Sequence, residues 1–215
     1  MYRLGILIAD ITGAYMAARI RHLRPDINLT LLYDPAADSS SYREENVARF
    51  LSMGIERFVS FLPEENDWER DFYRYIRGEK TATPALGTTA EDVDIGILIH
   101  TIADGLFQRS YVLDIIRDYA DRLGGEADRL VLGRPGLSYR ADDFRRIFGA
   151  RGIAIDDPLD AFMRTLPRTS TGGALRAFWT ERNFPLERRM TEIFGEEIRF
   201  RTYYSHPWLR GEGGK

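Results

Sequence analysis

Residues 127–157 read ADRLVLGRPGLSYRADDFRRIFGARGIAIDD. A short apolar run, Leu130-Val131-Leu132, stops at Gly133-Arg134-Pro135-Gly136. That pattern predicts a buried strand delivered into a tight loop. The following twelve residues, 138–149, carry helical spacing and end at Gly149. "GIAIDD" (152–157) is a second short strand, and Pro158 opens a helix over 158–166. Strand, helix, strand, helix in this order is the signature of a parallel sheet covered by helices.

The same alternation extends outward in both directions. Toward the N-terminus, strands are predicted at 2–10, 27–34, 55–62 and 94–101, with helices at 14–23, after 39 up to Gly54, at 64–78 and at 109–123. Residues 79–94 have linker composition. Toward the C-terminus, 174–195 is predicted helical with a break before Pro185, and 196–204 alternates like a last strand. "GILI" occurs at Gly5–Ile8 and again at Gly96–Ile99, which fits either chance or two related halves. The expected fold class is α/β, with two pseudo-symmetric, Rossmann-like parallel-sheet halves and a cleft between them.

Composition narrows the function classes. The chain has 215 residues, 44% hydrophobic, with a net charge of −3. That suffices for a substantial core, and the charge argues against a general nucleic-acid binder. Residues 164–215 hold ten Arg or Lys against six Asp or Glu, so basic charge gathers near the C-terminus. A solvated helix face is the simpler account of it. Nearly all basic residues are arginine; Lys80 and Lys215 are the two lysines. No apolar run approaches the ~20 residues of a membrane span, and the first ten residues do not form a signal peptide. The expected location is the cytoplasm. Cysteine is absent, which excludes disulfides, thiolate metal sites and a cysteine nucleophile. His22, His100 and His206 lie far apart, so no metal site and no cofactor are expected.

The motifs resemble the aspartate/glutamate racemase superfamily, glutamate racemase in particular. That family carries D-T-L-V-L-G-C-T-H-Y-P-L, a helix, a strand ending in Asp and another helix; Asp128–Gly133 and Ile155-Asp156 are similar to it. "YRLGILIADITGAYMAARIRHLRPDINLTLLYD" resembles the family's opening strand, Asp-containing loop, helix and second strand. "LSMGIERFVSFL" resembles its third strand, "DIGILIHTIADGLFQR" its domain restart, and "TGG…FGEEIRFRTYY" its last segment. The resemblance implies a first domain of 1–90 plus 167–215 and a second of 91–166, a small amino acid or carboxylate as ligand, and a tendency to form a homodimer.

The resemblance stops at the chemistry. The family removes an α-proton with two cysteines on opposite faces of its substrate. In register with that pattern, the first falls at Leu62, with Pro63 and Glu64 following. The second falls at Arg134, with Pro135 and Gly136 in place of Thr-His. Leucine cannot accept a proton, and arginine stays protonated at neutral pH. At a nucleophile position, however, a guanidinium can hold a carboxylate or phosphate by two parallel hydrogen bonds; alternatively Arg134 pairs with an acid such as Asp156. Asp10-Ile11-Thr12-Gly13 stands for D-S-G-x-G-G, with Asp10 the one matching acid.

The candidate catalytic residues are Asp10, whose family counterpart assists the base, and His100, placed at a strand edge and able to act as acid or base near neutral pH. Candidate ligand-binding residues are Thr12, Gly13, Tyr42, Thr101 and Arg134. Thr12 and Gly13 can offer backbone N–H groups to an anion, and Tyr42 stands where the family has Pro-Tyr-Gly, with Arg43 replacing the glycine. Asp10 also suits a helix cap, as does the Asp156-Asp157-Pro158 stretch, whose other reading is a metal-binding pair. "TSTGG" (169–173) resembles a phosphate cradle opening a helix but lacks the lysine of a P-loop. Three functions follow. The first is a pseudoenzyme that binds a small carboxylate or a protein partner. The second is an isomerase- or lyase-type enzyme using Asp10, His100 and Arg134. The third is an interaction module with a filled cleft.

Overall fold

The computed structural model describes residues 2–37, 40–55, 57–61, 95–123, 129–170 and 172–203, with the backbone alone for 40–43. Their order is β1 (Arg3–Ile8), α1 (Ile11–Leu23), β2 (Asn28–Tyr33), α2 (Ser40–Ser52), β3 (Phe58–Ser60), α3 (Gly96–Ala103) and α4 (Val112–Arg122). There follow β4 (Arg129–Val131), a 3-10 turn (Leu137–Arg140), α5 (Ala141–Gly149), β5 (Ala154–Asp156), α6 (Pro158–Thr165), β6 (Leu175–Trp179), α7 (Phe184–Phe194) and β7 (Phe200–Thr202). The predicted helix over 64–78, the linker 79–94, Leu62 and Asp128 lie outside the described residues.

Two parallel sheets result. The larger has five strands in the order β3-β1-β2-β6-β7; the smaller pairs β4 with β5. Strand β1 lies inside the larger sheet, and Leu4–Ile8 are buried without alternation, as a central parallel strand requires. One apolar core runs through both sheets. It joins Leu4, Ile6 and Ile8 to Leu130, Leu132, Phe144, Phe148 and Ile155. A smaller cluster lies on the far face of the large sheet, where Phe50 of α2 covers Leu7 and Leu32.

Helix α1 connects the two sheets. Its Tyr15, Met16 and Ile20 are fully buried. The Tyr15 hydroxyl accepts from the Phe107 amide at 2.8 Å and donates to Gln108 Oε1 at 2.6 Å. One turn on, Arg19 holds Asp142 of α5 by two bonds of 2.7 and 2.9 Å, and the ion pair draws the Asp142 carboxyl below its usual range. Tyr15 and Arg19 share a face because they are four residues apart.

Three sequence expectations change. The strand expected over 94–101 is not formed by its described residues: from Gly96 the chain is helix α3. A short apolar run does not reveal its period, and here Leu98, Thr101 and Ile102 face inward while Ile97 is 56% exposed. The two GILI copies are therefore a strand and a helix, not a structural repeat. Second, 174–195 is not one helix. Leu175, Ala177 and Trp179 alternate toward the core as β6, pairing with β2, and α7 starts afresh where Asn183 Oδ1 accepts from the Leu186 amide at 3.0 Å. Third, "TSTGG" leads into a strand. A Cβ on Gly173 would lie 1.9 Å from the Ile27 carbonyl oxygen, so this glycine serves a close backbone approach. Thr169 is bonded to Asp26 through its amide and its hydroxyl.

Candidate functional site

In open α/β sheets the loops at the carboxyl ends of the strands carry chemistry. Asp10 follows β1. Its backbone is extended, and Oδ1 accepts from the Thr12 and Gly13 amides at 2.9 and 3.1 Å. This caps α1. Both amides proposed for an anion are thereby taken by Asp10 itself, whose side chain is exposed.

The Arg134 loop follows β4. Leu132 N–H donates to Asp156 O at 2.9 Å, extending the small sheet by one bond, and Leu137 N–H closes a turn onto Arg134 O at 3.2 Å. Gly136 has φ +90, a conformation side chains resist. Its N–H points at Met16 Sδ, 3.1 Å away. A Cβ placed there would lie 3.1 Å from Ile102 Cγ2 and 3.3 Å from Thr12 Cγ2. The glycine is thus the point where the first turn of α1, helix α3 and the β4 loop meet.

That junction brings two candidates near one another in the chain path: Asp10 is two residues from Thr12 and Arg134 two from Gly136, whereas His100, two residues from Ile102 on a helix, points away from it. All three side chains are exposed. His100 occupies the outer side of α3 rather than a strand edge. Thr101 is buried, and its hydroxyl donates within the helix to Leu98 O at 2.8 Å, so it does not face the junction. Tyr42 falls in α2, and its side chain lies outside the described residues. The suggested Arg134–Asp156 pair does not account for Asp156, which accepts from Arg129 at 3.0 Å.

Asp157 is different again. It is 3% exposed. Oδ1 accepts from Ser138 Oγ at 2.6 Å and from the Leu159 amide at 3.0 Å, capping α6. Oδ2 is buried without a hydrogen-bond partner among the described residues. Burial pushes its carboxyl above the usual range, against the pull of the Ser138 and Leu159 bonds. Asp156 is paired with Arg129 and Asp157 with Ser138, so each carboxylate has a structural partner.

Sequence reasoning missed one cluster at this edge. Asp34, which closes β2, is buried and accepts from Asn46 Nδ2 at 3.0 Å, Arg49 at 2.8 Å and the Ala36 amide at 3.1 Å. The readable signal was a strand ending in Asp, followed by Asn and Arg three apart on the next helix. Its effect is to tie α2 to β2.

No protein-family model and no curated protein matches the chain. Solved structures do. The chain is similar to the glutamate racemase of Thermus thermophilus in complex with β-chloro-D-alanine, at 17% identity and TM-score 0.58, over 95% of this chain and 97% of that one. It is similar to the glutamate racemase of Francisella tularensis in complex with D-glutamate, at 11% identity and TM-score 0.59, over 94% and 97%. A third is the Campylobacter jejuni glutamate racemase, at 10% identity and TM-score 0.57, over 90% and 98%. These likenesses establish the fold: the chain has the architecture of glutamate racemases and contains no cysteine.

Proposed function

We propose that this chain is a racemase-fold protein that has abandoned two-thiol proton transfer and binds a small carboxylate at the Gly136 junction. The junction itself carries the reading. Gly136, two residues after Arg134, packs against Thr12, two residues after Asp10, in a chain with no sulfur base. Arg134 supplies the positive charge. Its planar fork suits a carboxylate, which it meets by two parallel bonds. Asp10 keeps α1 capped beside it.

D-glutamate, the molecule bound in the Francisella structure, is the first probe. Calorimetric titration with D-glutamate and other dicarboxylates should give binding to the native chain and a loss of about tenfold or more in Arg134→Ala, the value of one charge-assisted bidentate contact. Absence of binding by every dicarboxylate contradicts the reading.

A second reading is an isomerase- or lyase-type enzyme in which Asp10 and His100 move protons while Arg134 holds the carboxylate. General acid–base work needs groups within hydrogen-bond reach of one substrate. Product formation that disappears in both Asp10→Asn and His100→Gln would favour it over simple binding. We assign residues 1–90 with 167–215 to one domain and 91–166 to the other. Support comes from β6 and β7, which extend the sheet of β1–β3, while β4 and β5 form their own.

A further inference from the structure

The far face of the large sheet changes character along its width. Register places Leu7, Leu32 and Phe178 in one row across β1, β2 and β6, with Arg201 of β7 next. The row before it runs Gly5, Thr30 and Arg176. Alternation along β7 puts Arg199 on the same face as Arg201, since Phe200 turns into the core. Helix α2 covers the Leu7–Leu32 end. The β6–β7 end instead forms a groove of about 770 Å³ lined by Arg176, Phe178, Glu197, Arg199 and Arg201.

Charge in this groove is unbalanced. Glu197 is its one acid among the described residues, and it is bound to Arg199 through both oxygens at 2.8 and 3.1 Å. Arg176 and Arg201 have no ion pair among the described residues, in a protein where Arg19, Arg21, Arg24, Arg49 and Arg140 each have one. Arg3 and Arg176 also line an adjoining cavity of about 170 Å³ that shares Phe178. Like charges on neighbouring strands repel. A parallel sheet normally covers both faces with apolar side chains. Two arginines without an ion pair among the described residues, set beside a third in one concavity of a sheet, are an arrangement that an anion relieves.

We infer that this groove binds a small molecule carrying a phosphate group. One carboxylate matches one guanidinium; two unpaired guanidiniums flanking a ring match a dianion that offers oxygens to both. The half-buried Phe178 ring gives the rest of the ligand an apolar floor. This site uses none of the residues of the Gly136 junction, so each stands or falls alone.

Inorganic pyrophosphate is the probe, titrated calorimetrically at low ionic strength, where screening is weak. The expected result is binding that falls about tenfold or more in the double variant Arg176→Ala/Arg201→Ala and is retained in Arg188→Ala. Arg188 is an exposed arginine of α7, the helix on the opposite face. The groove arginines are exposed, so the double variant should keep the native thermal midpoint, which a melt verifies. Citrate, a tricarboxylate, should bind more weakly than pyrophosphate. Absent binding, equal loss in Arg188→Ala, or citrate matching pyrophosphate each overturns the assignment.

Discussion

Asp10 and Asp157 occupy equivalent local positions and live under opposite conditions. Each follows a strand, and each caps the next helix with one carboxylate oxygen. Asp10, at the edge of the large sheet, keeps its side chain in solvent. Asp157, beside the small sheet, is buried with one oxygen unpartnered and its carboxyl pushed up by desolvation. A shared capping role therefore says nothing about availability for chemistry. What separates them is what packs on top: the 3-10 turn and Ser138 close over Asp157, while nothing described covers Asp10. Asp157 is a structural acid, and Asp10 stays exposed to solvent.

The largest expected effect comes from breaking Asp157. Asp157→Ala removes a cap and strands the buried Ser138 hydroxyl, costing about 2–4 kcal/mol in urea denaturation by the sum of those two effects. Asp10→Ala loses an exposed cap only, about 1 kcal/mol. Equal losses would dissolve the contrast.

Asp157→Asn sharpens it through pH. Because the folded carboxyl titrates above its ordinary 3.8, the native state holds a proton that the unfolded state releases. Its contribution is full below 3.8, declines as pH rises toward the folded value, and stays lost above it. Denaturation midpoints measured across that range should fall in the native protein, and this decline should vanish in Asp157→Asn. Asp26 gives the reverse sign. The Arg24 guanidinium holds its carboxyl far below the usual range, assisted by Thr169. Its stabilisation is present above 3.8 and disappears as pH drops below it, so Asp26→Asn should flatten the acid limb. Smallest of all is Asp10→Asn, which keeps the cap and should shift stability by only a few tenths of a kcal/mol, leaving any change in ligand binding to be read cleanly.

Much of the fold was legible because its signals are local. Leu130–Gly133, Asp157-Pro158 and the amphipathic run at 112–122 each declare their element. Gly96–Ala103 did not, because an apolar octet serves a buried strand or a packed helix equally, and only Leu98, Thr101 and Ile102 meeting the core decides. Leu175–Trp179 failed for the complementary reason: five residues joined to a strong helical pattern vanish into it, and pairing with a strand over 140 residues earlier is invisible locally. Of the candidate site, Asp10 and Arg134 were readable as loop residues after strands. Their relation to one another was not, since it runs through the packing of Gly136 against Thr12. The arginine groove was visible only as an excess of basic charge after residue 164; register alone shows that three of those arginines share a sheet face.

The central claim is that this architecture operates without proton removal by paired thiols. Incubation with D- and L-glutamate and aspartate in heavy water, followed by proton NMR at Cα, tests it directly. The account predicts no deuterium incorporation above the protein-free control while D-glutamate still binds; incorporation that scales with protein concentration, with inversion at Cα, would contradict it.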